Sequence, residues 1–236
     1  MNPANIGRAT IVAAVLVLAA GPLLKFGIMP WAPALGMFAI GAILAGIGGL
    51  YCLWQLLRRR GGTITVLAAA AGLAAAAIPG AILLEASDKP PINDITTDVG
   101  NPPAYVGITA AMRGEGAAPL SYDPSFAPQQ ARAYPDVRPL DLPVTPDKAF
   151  AIAMAATQGW EVVASDPATG RIEATDTVAW WGFKDDIVVR LTATPTGTRV
   201  DLRSKSRVGK GDLAVNANRI TAYLDRVAAE MRKTGV

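Results

Sequence analysis

Apolar and polar positions divide the chain into three stretches with different periodicity. In residues 1–86 apolar side chains run almost unbroken through three segments, 9–28, 33–57 and 63–84. Each is close to the roughly 20 residues a helix needs to cross the hydrocarbon core of a bilayer, so the pattern predicts three transmembrane helices. Lys25 falls near the end of the first, where a lysine can reach the headgroups along its own aliphatic stem. A cleaved signal peptide competes for residues 6–24. Only Arg8 precedes the apolar run and two further spans follow, which favours an uncleaved helix. Small residues recur at four-residue spacing, as Gly41, Ala45 and Gly49, and again as Ala68, Gly72, Ala76 and Gly80. Such faces let helix backbones approach closely. They predict a self-packed three-helix anchor, with a partner membrane protein as the alternative.

Residues 87–143 lose this pattern and become proline-rich, with Pro90-Pro91, Pro102-Pro103 and six further prolines between 119 and 143. The reading is an extended arm with one short strand near 92–95. The polar sequence Ile92-Asn93-Asp94-Ile95-Thr96-Thr97-Asp98 and the following Pro102-Pro103-Ala104-Tyr105 are too distinctive for a spacer, so the arm is expected to lie on a folded domain.

Residues 144–236 alternate cleanly. Thr145-Pro146-Asp147 reads as a helix start, with a capping threonine, proline in the first turn and an acid at the positive dipole end. Strands follow at 160–165 and 171–178, joined by a turn ending at Gly170. In 183–194, Phe183, Asp185, Ile187, Val189 and Leu191 share one face, while Lys184, Asp186, Val188, Arg190 and Thr192 share the other. In 198–208, Val200, Leu202, Ser204, Ser206 and Val208 face one way; Arg199, Asp201, Arg203, Lys205 and Arg207 face the other. Asp212 is placed to cap a last helix whose stripe is Leu213, Ile220, Leu224, Val227 and Met231. The fold class is therefore α+β: a four-stranded antiparallel sheet packed by helices, in the order α-β-β-β-β-α, behind three transmembrane helices. The expected organisation is a membrane region at 1–86, the arm at 87–143 and the α+β domain at 144–236.

Composition sharpens this picture. Apolar residues make up 51% of 236, and the excess lies before residue 86. There is no histidine, which removes imidazole-based dyads and histidine metal sites. Cys52 is the only cysteine, so no intrachain disulfide forms. No ionisable residue falls in the middle of a span, which argues against a transporter. Arg58, Arg59 and Arg60 are the only basic cluster beside the spans. The positive-inside rule makes their loop cytoplasmic, and the C-terminal domain then faces the periplasm from a multi-pass inner membrane protein.

Several motifs together resemble the DUF1499 family, a domain of unknown function, in its long form with N-terminal membrane helices. They are Phe183-Lys184-Asp185-Asp186, the run from Arg203 to Gly209, and Asp212-Leu213-Ala214-Val215-Asn216 with Arg219, supported upstream by Asp94 to Asp98 and Pro102-Pro103. The resemblance spans roughly 92–232. Ala214 stands where many members carry glycine, a departure that would stiffen the loop. The resemblance implies a bacterial envelope protein and supplies no reaction.

The candidate polar cluster is Asp185, Asp186, Arg203, Ser204, Ser206, Arg207, Asp212, Asn216 and Arg219. Neighbouring strand residues point to opposite faces, so Asp185 and Asp186 do not serve one metal without a bulge. Asp185 on the core side needs a cation, with Arg219 and Arg207 as candidates; a ligand pocket and a catalytic or metal-binding role are the alternatives. Ser204 and Ser206 have no histidine base, and Lys205 points away, so they read as packed hydroxyls tied to the strand–loop–helix junction by Asn216. Trp180 and Trp181 read as a cap on the domain core.

Residues 88–170 hold 5 basic and 10 acidic residues, and 171–236 hold 12 and 8. The arginine-rich sheet face is thus expected to be solvated and partly covered by the acidic arm, or drawn to anionic headgroups. Nucleic acid is not expected as a partner, since aromatic residues are scarce on these strands. No cofactor or metal motif is present. Taken together, the expected function is binding, with membrane lipids or another envelope protein as partner. A hydrolase using Asp185 or Asp186, or an accessory subunit of a membrane complex, are the alternatives.

Overall fold

The computed structural model describes residues 3–234. They form two compact units. One comprises the chain up to Asp88 together with the loop Val178–Gly182; the other comprises Lys89–Thr177 and the chain from Phe183 onward.

The first unit is a bundle of α1 (Pro3–Lys25), α2 (Trp31–Leu57) and α3 (Thr63–Ala86), all long and apolar enough to cross a membrane. Its packing is small inside and large outside. Ala13, Val17, Ala20, Ala42, Ala45, Ala68 and Ala75 are buried, whereas Ile40, Ile43, Leu44, Ile47 and Leu50 on α2 are exposed. Water offers no reason to arrange side chains this way; lipid does, because close backbone approach replaces the hydrophobic drive. Gly72 marks the closest approach, since a Cβ there would run into the Ala45 carbonyl and lie near Gly49. Gly41, Ala45 and Gly49 thus pack within the bundle, as do Ala68, Gly72 and Ala76, whereas Gly80 meets open space.

Trp180 and Trp181 belong to this unit and do not cap the sheet's core. They pack edge-on to Phe38, with ring centroids 6.0 and 5.1 Å away. Lys25 Nζ donates to the Ala179 carbonyl at 2.8 Å.

The second unit is built on a six-stranded antiparallel sheet rather than four strands. The strands are β1 (Asp94–Thr96), β2 (Leu140–Leu142), β3 (Glu161–Asp166), β4 (Arg171–Thr177), β5 (Lys184–Thr194) and β6 (Gly197–Ser206). The order is β1-β6-β5-β4-β3, with β2 also pairing β6. The two additional strands come from the proline-rich stretch. They are three residues each, too short to show a periodicity, and exist only because β6 offers a free edge. The same stretch forms two short helices, α4 (Ala110–Arg113) and α5 (Ala127–Ala133).

Helices α6 (Pro146–Ala155) and α7 (Val215–Lys233) cover one sheet face. Ile172, Ile187, Val189, Leu191, Val200 and Leu202 meet Ala149, Ile152, Ile220, Tyr223 and Val227 there. Tyr223 is fully buried, stacks on Trp160 at 4.9 Å and donates to the Ala153 carbonyl at 2.9 Å. Thr145 occupies the position before α6, but its side chain makes no capping bond.

If the α1–α3 bundle depends on backbone approach at Gly72, Gly72→Leu should cost at least the 1–3 kcal/mol of an overpacked core. Loss of helical circular dichroism on dodecyl sulfate titration of the full-length protein measures this; an unchanged titration would mean that the close approach is dispensable.

Candidate functional site

Strand alternation splits the predicted polar cluster between two sheet faces. Asp185 pairs in register with Ser206, and Ile187 with Ser204, on the α7 side. Asp186 pairs with Lys205, and Val188 with Arg203, on the other side. The nine residues therefore do not form one pocket.

On the α7 side, Arg219 joins two strands. Its Nη2 bonds Asp185 Oδ2 at 2.6 Å, its Nε bonds Asp176 Oδ2 at 2.9 Å, and its Nη1 bonds Asn216 Oδ1 at 2.6 Å. Ser204 Oγ also donates to Asn216 Oδ1, at 2.6 Å. Asn216 Nδ2 donates to Ser206 Oγ at 2.9 Å and to the Asn93 carbonyl at 3.2 Å. Thus the stripe of α7 is mixed in its first turns, where Asn216 and Arg219 are buried beside Ala217, and apolar beyond them. Asp212 accepts from the Asn216 and Ala214 amides at 2.8 and 3.1 Å and holds the start of the helix. Burial nevertheless pushes its pKa above the ordinary carboxylate value. Leu213 and Ala214 have φ of 57° and 67°. This left-handed conformation is one that glycine adopts without strain and that costs alanine and leucine energy.

On the opposite face, the arm covers more of the arginine row than expected: Arg203 and Lys205 are buried, whereas Arg199 keeps 39% of its side chain exposed. Asp94 takes Arg203 in a two-pronged contact, Nε to Oδ1 at 2.8 Å and Nη2 to Oδ2 at 2.7 Å, and receives Lys205 Nζ at 2.7 Å. Asp186 receives Arg113 Nε at 2.7 Å, Arg207 Nη2 at 2.8 Å and Thr175 Oγ1 at 2.9 Å. Both carboxylates are 0% exposed, so the cations are not optional: water cannot replace them. Arg190 likewise joins Asp98 and Asp201, each at 3.0 Å.

The arm closes this face with backbone. Glu173, also fully buried, accepts the amides of Val106, Gly107 and Ile108 at 2.7–2.9 Å. Arg203 donates to the Pro103 and Leu120 carbonyls and lies over the rings of Tyr105 and Tyr122 at 5.1 and 5.5 Å. Burial alone would depress its pKa; the Asp94 carboxylate outweighs this and raises it. Asp94, Arg113, Tyr105, Tyr122 and Glu173 thus complete what the sequence reading left partial. Of these, only Asp94 and Tyr105 carried a signal, through the distinctive runs that contain them.

Beside the Asp94 cluster an open cleft of about 680 Å3 lies between the arm and the β6 end, with Asn93, Ser121, Tyr122, Phe126, Lys205 and Lys210 in its lining. Among the described residues, no group of three or more His, Cys, Asp or Glu side chains could hold a metal ion.

Two outcomes test these networks. Asp186→Asn leaves Arg113 and Arg207 buried without a counter-charge and should destabilise the unit by about 3–5 kcal/mol; faster hydrogen exchange in β5 and β6 peptides of the full-length protein reads this. A catalytic carboxylate would instead leave exchange unchanged. Asp212→Asn keeps one of the two capping acceptors and removes the titration. Because the folded pKa of Asp212 is raised, its favourable contribution is present below the ordinary aspartate value and lost as pH rises through the folded one. The thermal midpoint of the wild type should therefore fall relative to that variant as pH rises above about 4.

The sequence profile of the family described as "Protein of unknown function (DUF1499)" matches residues 94–227, more than half of the chain. No curated protein matches the chain. The matched region begins at Asp94, the residue that neutralises Arg203 and Lys205, and extends to Val227 in α7, so it covers both polar networks. The chain belongs to the DUF1499 family.

Proposed function

We propose that the protein is a membrane-anchored envelope protein whose sheet unit acts by binding a lipid or another envelope protein. The supporting observation is the contrast within the second unit. The carboxylates a hydrolase would use, Asp185 and Asp186, are 3% and 0% exposed and held in ion pairs. The open space lies elsewhere, in the cleft beside Lys205, where lining groups face a ligand-sized volume. The arginine face that could have drawn anionic headgroups is occupied by the protein's own carboxylates, so recognition falls to the cleft.

Sidedness follows from charge. Arg58, Arg59 and Arg60 follow α2 and are exposed. With that loop cytoplasmic, three crossings leave the chain after α3 on the periplasmic side of a bacterial inner membrane. In a Cys52→Ala background, Ala168→Cys should react with a membrane-impermeant maleimide in intact spheroplasts, and Gly62→Cys only after lysis. The reverse pattern would invert the orientation.

Native mass spectrometry of the full-length protein, extracted gently from its own membrane, tests the binding reading. A retained lipid of defined mass or a stoichiometric protein is expected. A bare chain under conditions that preserve other lipid complexes would count against it.

A further inference from the structure

We infer that the cleft between the arm and the β6 end is a site for a single-chain amphiphile with one acidic group, its head on Lys205 and Tyr122 and its chain along the proline-lined wall. This rests on the binding reading above and specifies its ligand.

Three features of the cleft converge on that chemistry. The first is an unused donor. The Lys205 side chain is 5% exposed, and its ammonium bonds Asp94 Oδ2 at 2.7 Å and the Ser121 carbonyl at 3.2 Å. An ammonium has three protons, so one remains for a group in the cleft. The second is an orphan. The Tyr122 hydroxyl is buried and has no hydrogen-bond partner among the described residues. Burial, with Asp94 adding to it, pushes its pKa to about 12, so it stays a donor at neutral pH. A buried unpaired hydroxyl is unfavourable, and because Tyr122 lines the cleft a ligand acceptor that displaces its cover would relieve it. Two donors without an acceptor ask for an anion.

The third feature is balance. Around the cleft, Arg203, Lys205 and Lys210 face Asp94 and Asp123, which leaves one positive charge in excess. One negative charge satisfies it; two would be repelled by the carboxylates. The apolar part of the wall is Pro91, Ala118, Pro119, Pro124 and Phe126, whose side chains present hydrocarbon and no hydrogen-bonding groups. A volume near 680 Å3 falls within the range of small-ligand sites, roughly 300–1,000 Å3. Prolines also fix the wall before binding, which lowers the ordering cost.

The test uses full-length protein in detergent, with laurate, dodecanol and acetate as probes and hydrogen exchange of peptides covering 118–126 and 205–210 as readout. Laurate should slow exchange there, and neither dodecanol nor acetate should match it. Tyr122→Phe removes only the unpaired hydroxyl. It should leave the thermal midpoint unchanged or raised, yet weaken laurate about tenfold, the loss expected for one hydrogen bond to a charged group. Lys210→Ala at the exposed rim should weaken laurate without unfolding the unit. Equal protection by dodecanol overturns the acidic head, and protection by acetate alone reduces the site to one for a small anion. Protection by phosphatidylglycerol but not laurate overturns the single chain. If no probe protects the cleft while mass spectrometry still finds a retained lipid, the binding reading stands and this assignment of the cleft falls.

Discussion

Neutralisation of buried carboxylates by guanidinium groups is the contact on which the second unit depends. Asp94 and Asp186 have no exposed surface, and each lies against two cations contributed by other parts of the chain. Such groups gain little over a well-packed apolar core, but removing one member strands the others in a medium that cannot solvate them. The ion pairs therefore act less as a source of stability than as a demand for one arrangement. Asp94 is correct only when β1 lies beside Lys205, and Arg113 only when the arm has crossed the sheet. Glu173 applies the same condition to backbone, because its carboxylate is satisfied only by the three consecutive amides at Val106–Ile108.

This demand explains why a proline-rich stretch with little secondary structure is an integral layer. Apolar contacts hold part of it down, since Ile92, Ile95 and Leu142 are buried in the core and Phe126, Val137 and Leu140 pack against it. It also brings a set of carbonyls and amides, the carboxylates of Asp94 and Asp98, and one arginine, matched to charges on β4, β5 and β6. Prolines limit the alternatives open to the unfolded stretch and so reduce the entropy lost on ordering. The cleft beside Lys205 is a by-product of this construction: the arm crosses the sheet face without filling the corner where β6 ends.

The two units solve opposite solvation problems. In the first, small residues face inward and large apolar ones outward; in the second, apolar residues meet across the α7 side of the sheet while charges are paired inside the other face. Trp180 and Trp181 show how far local sequence can mislead about this division. They sit between two strands of the second unit, yet they pack with Phe38 among the helices, because a large aromatic pair buries more surface in an apolar groove than at a strand end.

Sequence alone determined whatever depends on periodicity over many residues: three apolar helices, two alternating strand pairs, two flanking helices and the opposite facing of Asp185 and Asp186. It also narrowed the partner of Asp185, since a core-side carboxylate requires a cation and Arg219 was within reach. Only the tertiary structure decided that Arg203 and Lys205 of β6 are buried, that the short strand expected near 92–95 and a second at 140–142 join the sheet at β6, and that the Tyr122 hydroxyl has no hydrogen-bond partner among the described residues. The reason is that a period of two tells which residues share a face but says nothing of what covers it. An alternating charged strand looks the same under water as under an arm that carries the complementary charges some hundred residues away in sequence.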